Sequence, residues 1–160
     1  VLGDIGRERL LQALIEARRR GARVVFDNNY RPRLWADVQT AREAYRRVVA
    51  EVDIALLTED DERALFGYED SEQVFAAYPS IAEVVLKRGA DACLIRCAGE
   101  RFAVPALKVE KVVDTTAAGD SFSAAYLACR LKGGSPQDAA LAGHRLASRV
   151  IQVPGALIPR

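Results

Sequence analysis

The spacing of apolar residues predicts helices and strands in alternation along the chain. Apolar positions at steps of three and four residues predict amphipathic helices, whereas short continuous or alternating apolar runs predict strands. The predicted helices are one that ends at Gly21, one that begins near Asp37, residues 60–66, residues 74–78, one from about residue 119 to Lys132, and one from Ser135 to about Val153. The predicted strands are residues 23–27, 54–57, 83–87, 93–96 and 101–104, with a further β-prone run at 111–113.

This alternation favours an α/β fold with a mainly parallel sheet. Right-handed crossovers between parallel strands place the connecting helices on both faces of the sheet. Ligands of such sheets bind outside the carboxyl ends of the strands. Asp27, Thr58, Lys87 and Arg88 fall at such ends, and Asp114 follows the last β-prone run. We therefore expect these positions to border a binding site.

The segment VDTTAAGDSFSAAY, residues 113–126, joins a turn of small residues to a predicted helix. The first N–H groups of a helix lack internal partners, and the helix dipole makes that end partly positive. Ala117, Ala118 and Gly119 are small enough to let a phosphate approach such amides. Asp120, in the first turn, is a candidate proton acceptor for an attacking alcohol, so the pattern suits phosphoryl transfer. On residue types alone, a simple helix cap is the commoner role for such an aspartate.

The sequence DTTAAGD, residues 114–120, resembles the second signature of the ribokinase/pfkB family of carbohydrate kinases, D-T-x-G-A-G-D. Ala117 stands where that family usually has glycine, so this position needs a backbone angle that alanine tolerates. The resemblance implies that Asp120 is the catalytic base and that the amides of Ala117, Ala118 and Gly119 form an anion hole. Asp114 would help to hold substrate or nucleotide. The resemblance also implies a ribokinase-like three-layer α/β/α fold with ATP and Mg²⁺ as cofactors, and it leaves a monovalent cation open.

The loop FDNNYRPRLW, residues 26–35, carries two asparagines and two arginines after a predicted strand. Arginine can bind phosphate or carboxylate through two parallel hydrogen bonds. On composition alone, a solvated surface loop in which Trp35 covers a core edge is the favoured interpretation. The segment resembles F-D-x-N-x-R-x-x-L-W of 2-keto-3-deoxygluconate kinases, a branch of the same family. That resemblance implies that Asn29 lies near the ATP phosphates, and that Arg31 binds the carboxylate of a sugar acid and also reaches ATP.

Three further positions are candidates by the same resemblance. Thr58-x-x-Asp61 departs from the family's usual N-x-x-E, and Asp61 is the candidate Mg²⁺ ligand, through water. The alternative is that these acids only favour the dipole at a helix start. Lys87 and Gly89, in VVLKRG, are candidate ATP-site residues. His144 stands where the family often has an asparagine beside the adenine, and a histidine on the surface of a helix is the equal alternative.

Composition narrows the partners but does not identify a substrate. The chain has 160 residues, a formal net charge of +1, 50% hydrophobic and 28% charged residues. This balance is that of an ordinary globular protein and predicts neither a nucleic-acid nor a membrane partner. The three cysteines lack a C-x-x-C spacing, and no P-loop motif occurs. We find no apolar run of membrane-spanning length and no signal peptide, so the cytoplasm is the expected location.

The resemblance extends over residues 1–160, and the VPGA segment near the end matches the C-terminus of the family. Complete kinases of this family are longer, so we expect the ATP-side C-terminal portion of a kinase domain, without the N-terminal substrate and lid half. The expected function is ATP-dependent phosphorylation of 2-keto-3-deoxygluconate, with the isolated chain inactive. The alternatives are a nucleotide-binding fragment without turnover, or a pfkB-family kinase for a neutral sugar such as fructose or ribose. A sheet cut in this way exposes an edge, so self-association is also expected.

Overall fold

The computed structural model describes residues 3–158. Within that range the helices are α1 (Asp4–Arg19), α2 (Val38–Val49), α3 (Glu59–Phe66), α4 (Ser71–Ala77), α5 (Ala118–Leu131) and α6 (Pro136–Val150), with a short 3₁₀ helix at Pro32–Leu34. The strands are β1 (Val25–Asp27), β2 (Ile54–Thr58), β3 (Glu83–Lys87), β4 (Cys93–Cys97) and β5 (Glu100–Val104). Helices and strands therefore alternate through the first part of the chain as the apolar pattern predicts.

The described strands form a five-stranded sheet in the order β1-β2-β3-β4-β5. β1 and β2 pair in parallel, with Val25 opposite Ile54. β4 and β5 form an antiparallel hairpin, with Cys93 opposite Val104. The apolar residues of β2 and β3 are buried, as expected for strands covered on both faces. The predicted α/β class is confirmed.

The chain divides into two compact units, Val1–Leu86 and Lys87–Arg160. The first unit has an aromatic core cluster next to β1, made of Tyr30, Ala41, Tyr45 and Leu65 with Phe26, Trp35 and Phe66 packed against it. The Tyr45 ring meets the rings of Phe26, Tyr30 and Trp35 edge to face. Edge-to-face packing is a favoured arrangement of aromatic rings, so Tyr45 anchors both ends of the loop that follows β1.

In the second unit, α5 packs closely on α6. A Cβ atom added to Gly143 of α6 would lie 2.7 Å from the ring of Phe122 on α5, closer than real Cβ contacts come. Glycine therefore permits this approach between the two helices. Ser135 caps α6 by accepting a hydrogen bond from the Asp138 N–H, directly before the predicted Pro136 start.

Three predicted elements differ from the structure. Helix α4 begins at Ser71 rather than at residue 74, because Asp70 caps it by accepting the Gln73 N–H. Residues 111–113 form no strand, because Val112 and Val113 are exposed and the Val113 N–H donates to the Ile151 carbonyl at 2.7 Å. Helix α6 ends at Val150 rather than near Val153, since the last amides form turn-type bonds such as Val153 N–H to Val150 C=O. Pro154 disfavours helical conformation at Val153, so the helix could not have extended to the predicted bound. Residues 3–158 contain no helix with the length and apolar character needed to cross a membrane.

Candidate active site

The DTTAAGD segment of the second unit forms a turn that leads directly into α5. Ala117 is the residue before the helix and has φ 59° and ψ 14°, in the left-handed region. Glycine occupies this region freely, whereas a side chain with a Cβ atom is strained there. The sequence predicts a backbone angle that alanine tolerates, whereas the observed angle is one that alanine adopts only with strain.

The Asp114 carboxylate holds the turn in place. One carboxylate oxygen accepts the Thr116 N–H at 2.8 Å, and the other accepts the Gly155 N–H at 2.9 Å. These hydrogen bonds, chiefly those from Thr116 and then that from Gly155, lower the pKa of Asp114 below its usual value. Asp114 thus ties the turn to the segment after α6. Its role toward substrate or nucleotide stays a prediction.

The amides predicted to form the anion hole differ in their surroundings. The Ala118 N–H donates to the Thr115 carbonyl at 3.1 Å, so this amide has a protein partner within the turn. Ser121 N–H donates to the Ala117 carbonyl at 2.9 Å and begins the helix. Gly119 and Asp120 follow in the first turn of α5 and are both exposed. The Asp120 carboxylate is therefore accessible from solvent, as a proton acceptor for a bound alcohol must be.

Lys87 lies beside the first two turns of α5. It is only 8% exposed, and its Nζ donates to Ser123 Oγ at 3.2 Å. A Cβ atom on Gly119 would lie 3.7 Å from the same Nζ. The ammonium group therefore adds positive charge near the helix end where an anion is expected to bind. Gly89 follows in an exposed turn at φ 58°, and the contact of either residue with ATP stays a prediction.

His144 is buried in the packing of α6 rather than displayed on the surface of the helix. Its Nε2 lies 3.1 Å from the Val104 carbonyl, and its ring meets Phe122 edge to face at 5.1 Å. Because a carbonyl only accepts, Nε2 carries the proton in this contact. Burial lowers the pKa of His144, and the hydrogen bond to Val104 partly opposes this effect. The interpretation as a surface histidine is wrong, whereas the predicted adenine contact stays a prediction.

In the first unit, side chains alternate between buried and exposed along the loop after β1. Asn28 and Tyr30 are buried, while Asn29 and Arg31 are exposed. Asn29 has φ 32°, and asparagine is one of the residues that enter this region most readily. The loop therefore presents outward the two residues to which the resemblance assigns ligand contacts.

Arg31 and Asp61 are brought together by the structure. Arg31 Nη1 donates to the carbonyl of Tyr30 at 2.9 Å and lies 3.8 Å from Asp61 Oδ1. The Arg31 side chain is 59% exposed, so this ion pair stabilises the fold little. Its effect is to orient the guanidinium group. Asp61 is thus an ion-pair partner, and its predicted contact with magnesium stays a prediction.

The family assignment follows from comparison with known proteins. The family model for pfkB family carbohydrate kinases matches residues 4–160. This chain belongs to the pfkB family. It is 54% identical over 165 residues to 2-dehydro-3-deoxygluconokinase of Escherichia coli (strain K12), covering 100% of this chain and 53% of that protein. The enzyme of the same name from Dickeya dadantii (strain 3937) is 54% identical over 164 residues, covering 99% of this chain and 53% of the relative. The chain therefore spans about half the length of the curated relatives it matches.

Solved structures confirm the ribokinase-like fold of this pfkB chain. Aminoimidazole riboside kinase from Salmonella enterica, complexed with aminoimidazole riboside and an ATP analogue, matches with a TM-score of 0.84 and 25% identity over 94% of this chain and 53% of the other. An E. coli protein assigned as ribokinase II, in complex with ATP and Mg²⁺, matches with a TM-score of 0.81 and 27% identity over 92% of this chain and 48% of the other.

Two residues of the pfkB chain were not singled out by the sequence analysis, although both lie under the loop that carries Asn29 and Arg31. Asn28 is 2% exposed and Glu62 is 1% exposed, and their side chains are joined at 3.0 Å. Two periodicities predict their burial. Asn28 falls on the inward alternation of Val24 and Tyr30, and Glu62 precedes buried Leu65 by three residues on α3.

Proposed function

We propose that this chain is the ATP-side portion of a kinase that phosphorylates 2-keto-3-deoxygluconate, also named 2-dehydro-3-deoxygluconate, to give 2-keto-3-deoxy-6-phosphogluconate. The observation that carries the proposal is the exposed Asp120 carboxylate in the first turn of α5, directly after the left-handed turn at Ala117. The relatives that are 54% identical over the length of this chain bear the name of this activity.

Asp120 is the general base in this proposal. Its carboxylate takes the proton of the C6 hydroxyl while that oxygen forms a bond with the γ-phosphorus of ATP. The bond from this phosphorus to the bridging oxygen breaks, and ADP leaves. The amides of Ala117 and Gly119 and the Lys87 ammonium stabilise the negative charge of the transferring group.

ATP and Mg²⁺ fit the groups that the chain provides. The helix start with Lys87 beside it suits the phosphates, and Asp61 is a carboxylate of the type that holds Mg²⁺ while the ion keeps several waters. When bound, Mg²⁺ supplies positive charge that offsets the charge of the phosphates. Among residues 3–158 no group of three or more ligating side chains forms a metal cage, and a nucleotide-bound ion requires none. A monovalent cation is a finer proposal, tested by comparing turnover in potassium and in tetramethylammonium salts.

Arg31 makes a sugar acid the favoured substrate over a neutral sugar. Its exposed guanidinium, oriented by the Tyr30 carbonyl and Asp61, suits a carboxylate. The test uses a full-length enzyme, in which this chain is joined to the half of its relatives that it does not cover. Turnover of 2-keto-3-deoxygluconate should exceed that of ribose and fructose. The Arg31→Gln variant should raise KM for the sugar acid by about tenfold or more and leave KM for ATP closer to its original value. Equal use of all three sugars would overturn the proposed substrate.

The isolated chain is a second case, a nucleotide-binding fragment without turnover. The observation favouring it is that Lys87 and the start of α5 belong to one compact unit of a chain half the length of its relatives. Calorimetric titration of the folded chain with MgATP should give saturable one-to-one binding that weakens in the Lys87→Ala variant. Absence of binding would show that this unit does not form the nucleotide site alone.

Self-association of the isolated chain is proposed from the exposed edge of β1. This strand ends the sheet order among the described residues, and Val25 is 40% exposed. A groove of about 970 Å³ adjoins it, with Leu10, Leu11 and Leu14 of α1 among its lining residues. An unpaired strand edge next to apolar surface favours pairing with another copy. Sedimentation should show dimers or larger species that Val25→Lys reduces, whereas a monodisperse monomer would contradict the proposal.

A further inference from the structure

A buried polar network lies under the loop that presents Asn29 and Arg31. Asn28 is its centre. The Asn28 side-chain amide donates to Glu62 Oε1 at 3.0 Å and to the Thr58 carbonyl at 3.3 Å. The Asn28 side-chain oxygen accepts the Thr58 N–H at 3.1 Å and the Asn29 N–H at 2.9 Å. Both donors and both acceptors of this side chain are therefore used.

Two tyrosines complete the network. Tyr78 donates its hydroxyl hydrogen to Glu62 Oε2 at 2.6 Å, which satisfies the second oxygen of that carboxylate. Tyr45 donates to the backbone carbonyl of Asn28. Both rings are buried, with 5% and 8% of their surfaces exposed. In a buried network of this kind each member is costly to remove, because the partner groups then lose their hydrogen bonds.

The network fixes the loop at the residue next to its exposed positions. The Asn29 amide hydrogen points to the Asn28 side chain, and this contact sets the direction of the chain as it enters the left-handed conformation at Asn29. Tyr30 then returns to the core against Tyr45. Exposed Asn29 therefore lies between the buried residues Asn28 and Tyr30, and exposed Arg31 directly follows Tyr30. Asp61, the ion-pair partner of Arg31, precedes Glu62 on α3. The same helix therefore holds the backbone of the loop through Glu62 and orients the Arg31 guanidinium through Asp61.

We propose that Asn28 and Glu62 are positioning residues for substrate binding, which act through Arg31 without touching the substrate. This inference rests on the proposed sugar-acid kinase activity. The network holds the backbone of the loop so that the Arg31 guanidinium is presented in one orientation before the carboxylate arrives. Preorganisation of this kind lowers the cost of binding, because the loop need not be ordered by the ligand.

The test compares four variants of the full-length enzyme. Asn28→Ala removes the centre of the network, and Glu62→Ala removes the acceptor for Asn28 and Tyr78. Glu62→Gln is the conservative variant, because its carbonyl oxygen still accepts from Asn28. Val74→Ala, at a buried residue outside the network, is the matched control for loss of stability. Steady-state constants for sugar acid and ATP are measured below the unfolding temperature of each variant.

Asn28→Ala and Glu62→Ala should each raise KM for the sugar acid by about tenfold while kcat changes by less than about threefold. Glu62→Gln should restore most of the loss, and Val74→Ala should lower the melting temperature without changing KM. A purely structural network would lower the melting temperature in all variants and leave KM unchanged, and this result would overturn the proposal. If Asn28→Ala does not fold, the pair Glu62→Ala and Glu62→Gln decides by the same criterion.

A second readout separates this inference from the proposed function. Hydrogen exchange of the Asn29 and Thr58 amides should accelerate in Asn28→Ala, because both donate to the lost side chain. Unchanged exchange at these two amides would show that the side chain does not hold the loop, whatever the enzyme's activity. If the wild-type enzyme does not use the sugar acid, the proposed function fails and so does the role assigned through Arg31, while faster exchange would still identify the network as the anchor of the loop.

Discussion

Two polar loops of this chain are held by different means. The loop at Asn28–Arg31 rests on a buried network of side chains, in which Asn28 and Glu62 satisfy each other. The turn at Asp114–Asp120 is held by backbone amides that meet an accessible carboxylate, and by a left-handed alanine. The first arrangement is sensitive to the chemistry of a few buried side chains. The second is sensitive mainly to backbone geometry.

The largest expected effect is on turnover and concerns the turn at Asp114–Asp120, called the second loop below. It distinguishes a catalytic role of Asp120 from a structural one. Asp120→Asn in the full-length enzyme should lower kcat by at least about a hundredfold, because the amide cannot take the proton of the alcohol. Affinity for ATP should change little, since the backbone of the turn is unaltered. Turnover and nucleotide binding are measured in parallel. Near-normal turnover would show that Asp120 is not the catalytic base and only adds negative charge in the first turn of α5.

The close packing of α5 on α6 should make protein stability sensitive to a larger residue at Gly143. Gly143→Ala places a Cβ atom 2.7 Å from the Phe122 ring, so α5 or the ring must shift. We expect the free energy of unfolding to fall by about 1–3 kcal/mol, as for other overpacked positions. Chemical denaturation measures the change. Gly99→Ala is a control for loss of a glycine with open space around it, although its φ of 82° adds local strain. A stability at Gly143→Ala equal to wild type would mean that the helices separate without cost.

The stability of the first loop, at Asn28–Arg31, should depend on pH, because this loop rests on the buried carboxyl group of Glu62. Burial raises the pKa of Glu62 above its ordinary 4.5, and the hydrogen bonds from Tyr78 and Asn28 only partly oppose this effect. The folded protein therefore binds the proton more tightly than the unfolded chain does. The resulting stabilisation is fully present below pH 4.5 and is lost as the pH rises through the raised pKa. Relative to Glu62→Gln, which does not titrate, the wild type should lose stability from about pH 4.5 upward.

Melting temperatures of both proteins across this pH range provide the measurement. Asp60→Asn is the matched control, because Asp60 lies on the same helix with its side chain 89% exposed. This variant retains Glu62, so it should lose stability with rising pH in the same direction as the wild type. A stability of the wild type, measured relative to Glu62→Gln, that stays constant or increases as the pH rises would contradict the assigned direction.

The smallest expected effect concerns the backbone of the second loop. Ala117→Gly relieves the left-handed strain at φ 59°, which is worth about 1–2 kcal/mol, but it gives the unfolded chain more freedom. The net result should be a stability gain of at most about 1 kcal/mol, with turnover retained. Thermal unfolding and kcat of the full-length variant provide the check. A clear loss of stability would show that the Ala117 methyl group makes a contact worth more than the strain.

The sequence predicted more of the second loop than of the first. Small residues before an amphipathic helix made the turn and the start of α5 recognisable, although the left-handed angle at Ala117 was not predicted. Short continuous apolar runs likewise predicted β2 and β3. These features depend on local spacing, which a sequence displays directly.

The hydrogen bonds that hold the first loop could not be predicted from local sequence spacing in this way. Asn28 and Glu62 are separated by 34 residues, and nothing in local spacing indicates that an amide meets a carboxylate at that distance in sequence. His144 shows the same limit, since its partner Val104 lies 40 residues away. The run at 111–113 was misassigned because β-branched residues suggested a strand, whereas its amide bonds to Ile151 after α6. Partners of polar groups are a tertiary property.

The full use of the Asn28 side chain limits which amino acids a mutational library can accept there. Its two N–H groups and its oxygen each serve a fixed partner, and only asparagine offers this combination at that length. Position 28 should therefore accept almost no single replacement while Glu62 is present. Paired libraries should behave differently, because an apolar residue at both positions leaves no orphaned carboxylate. New partners are then required for the Tyr78 hydroxyl and for the backbone groups of Thr58 and Asn29. Selection would thus recover positions 28 and 62 as a linked pair, although they are far apart in the sequence.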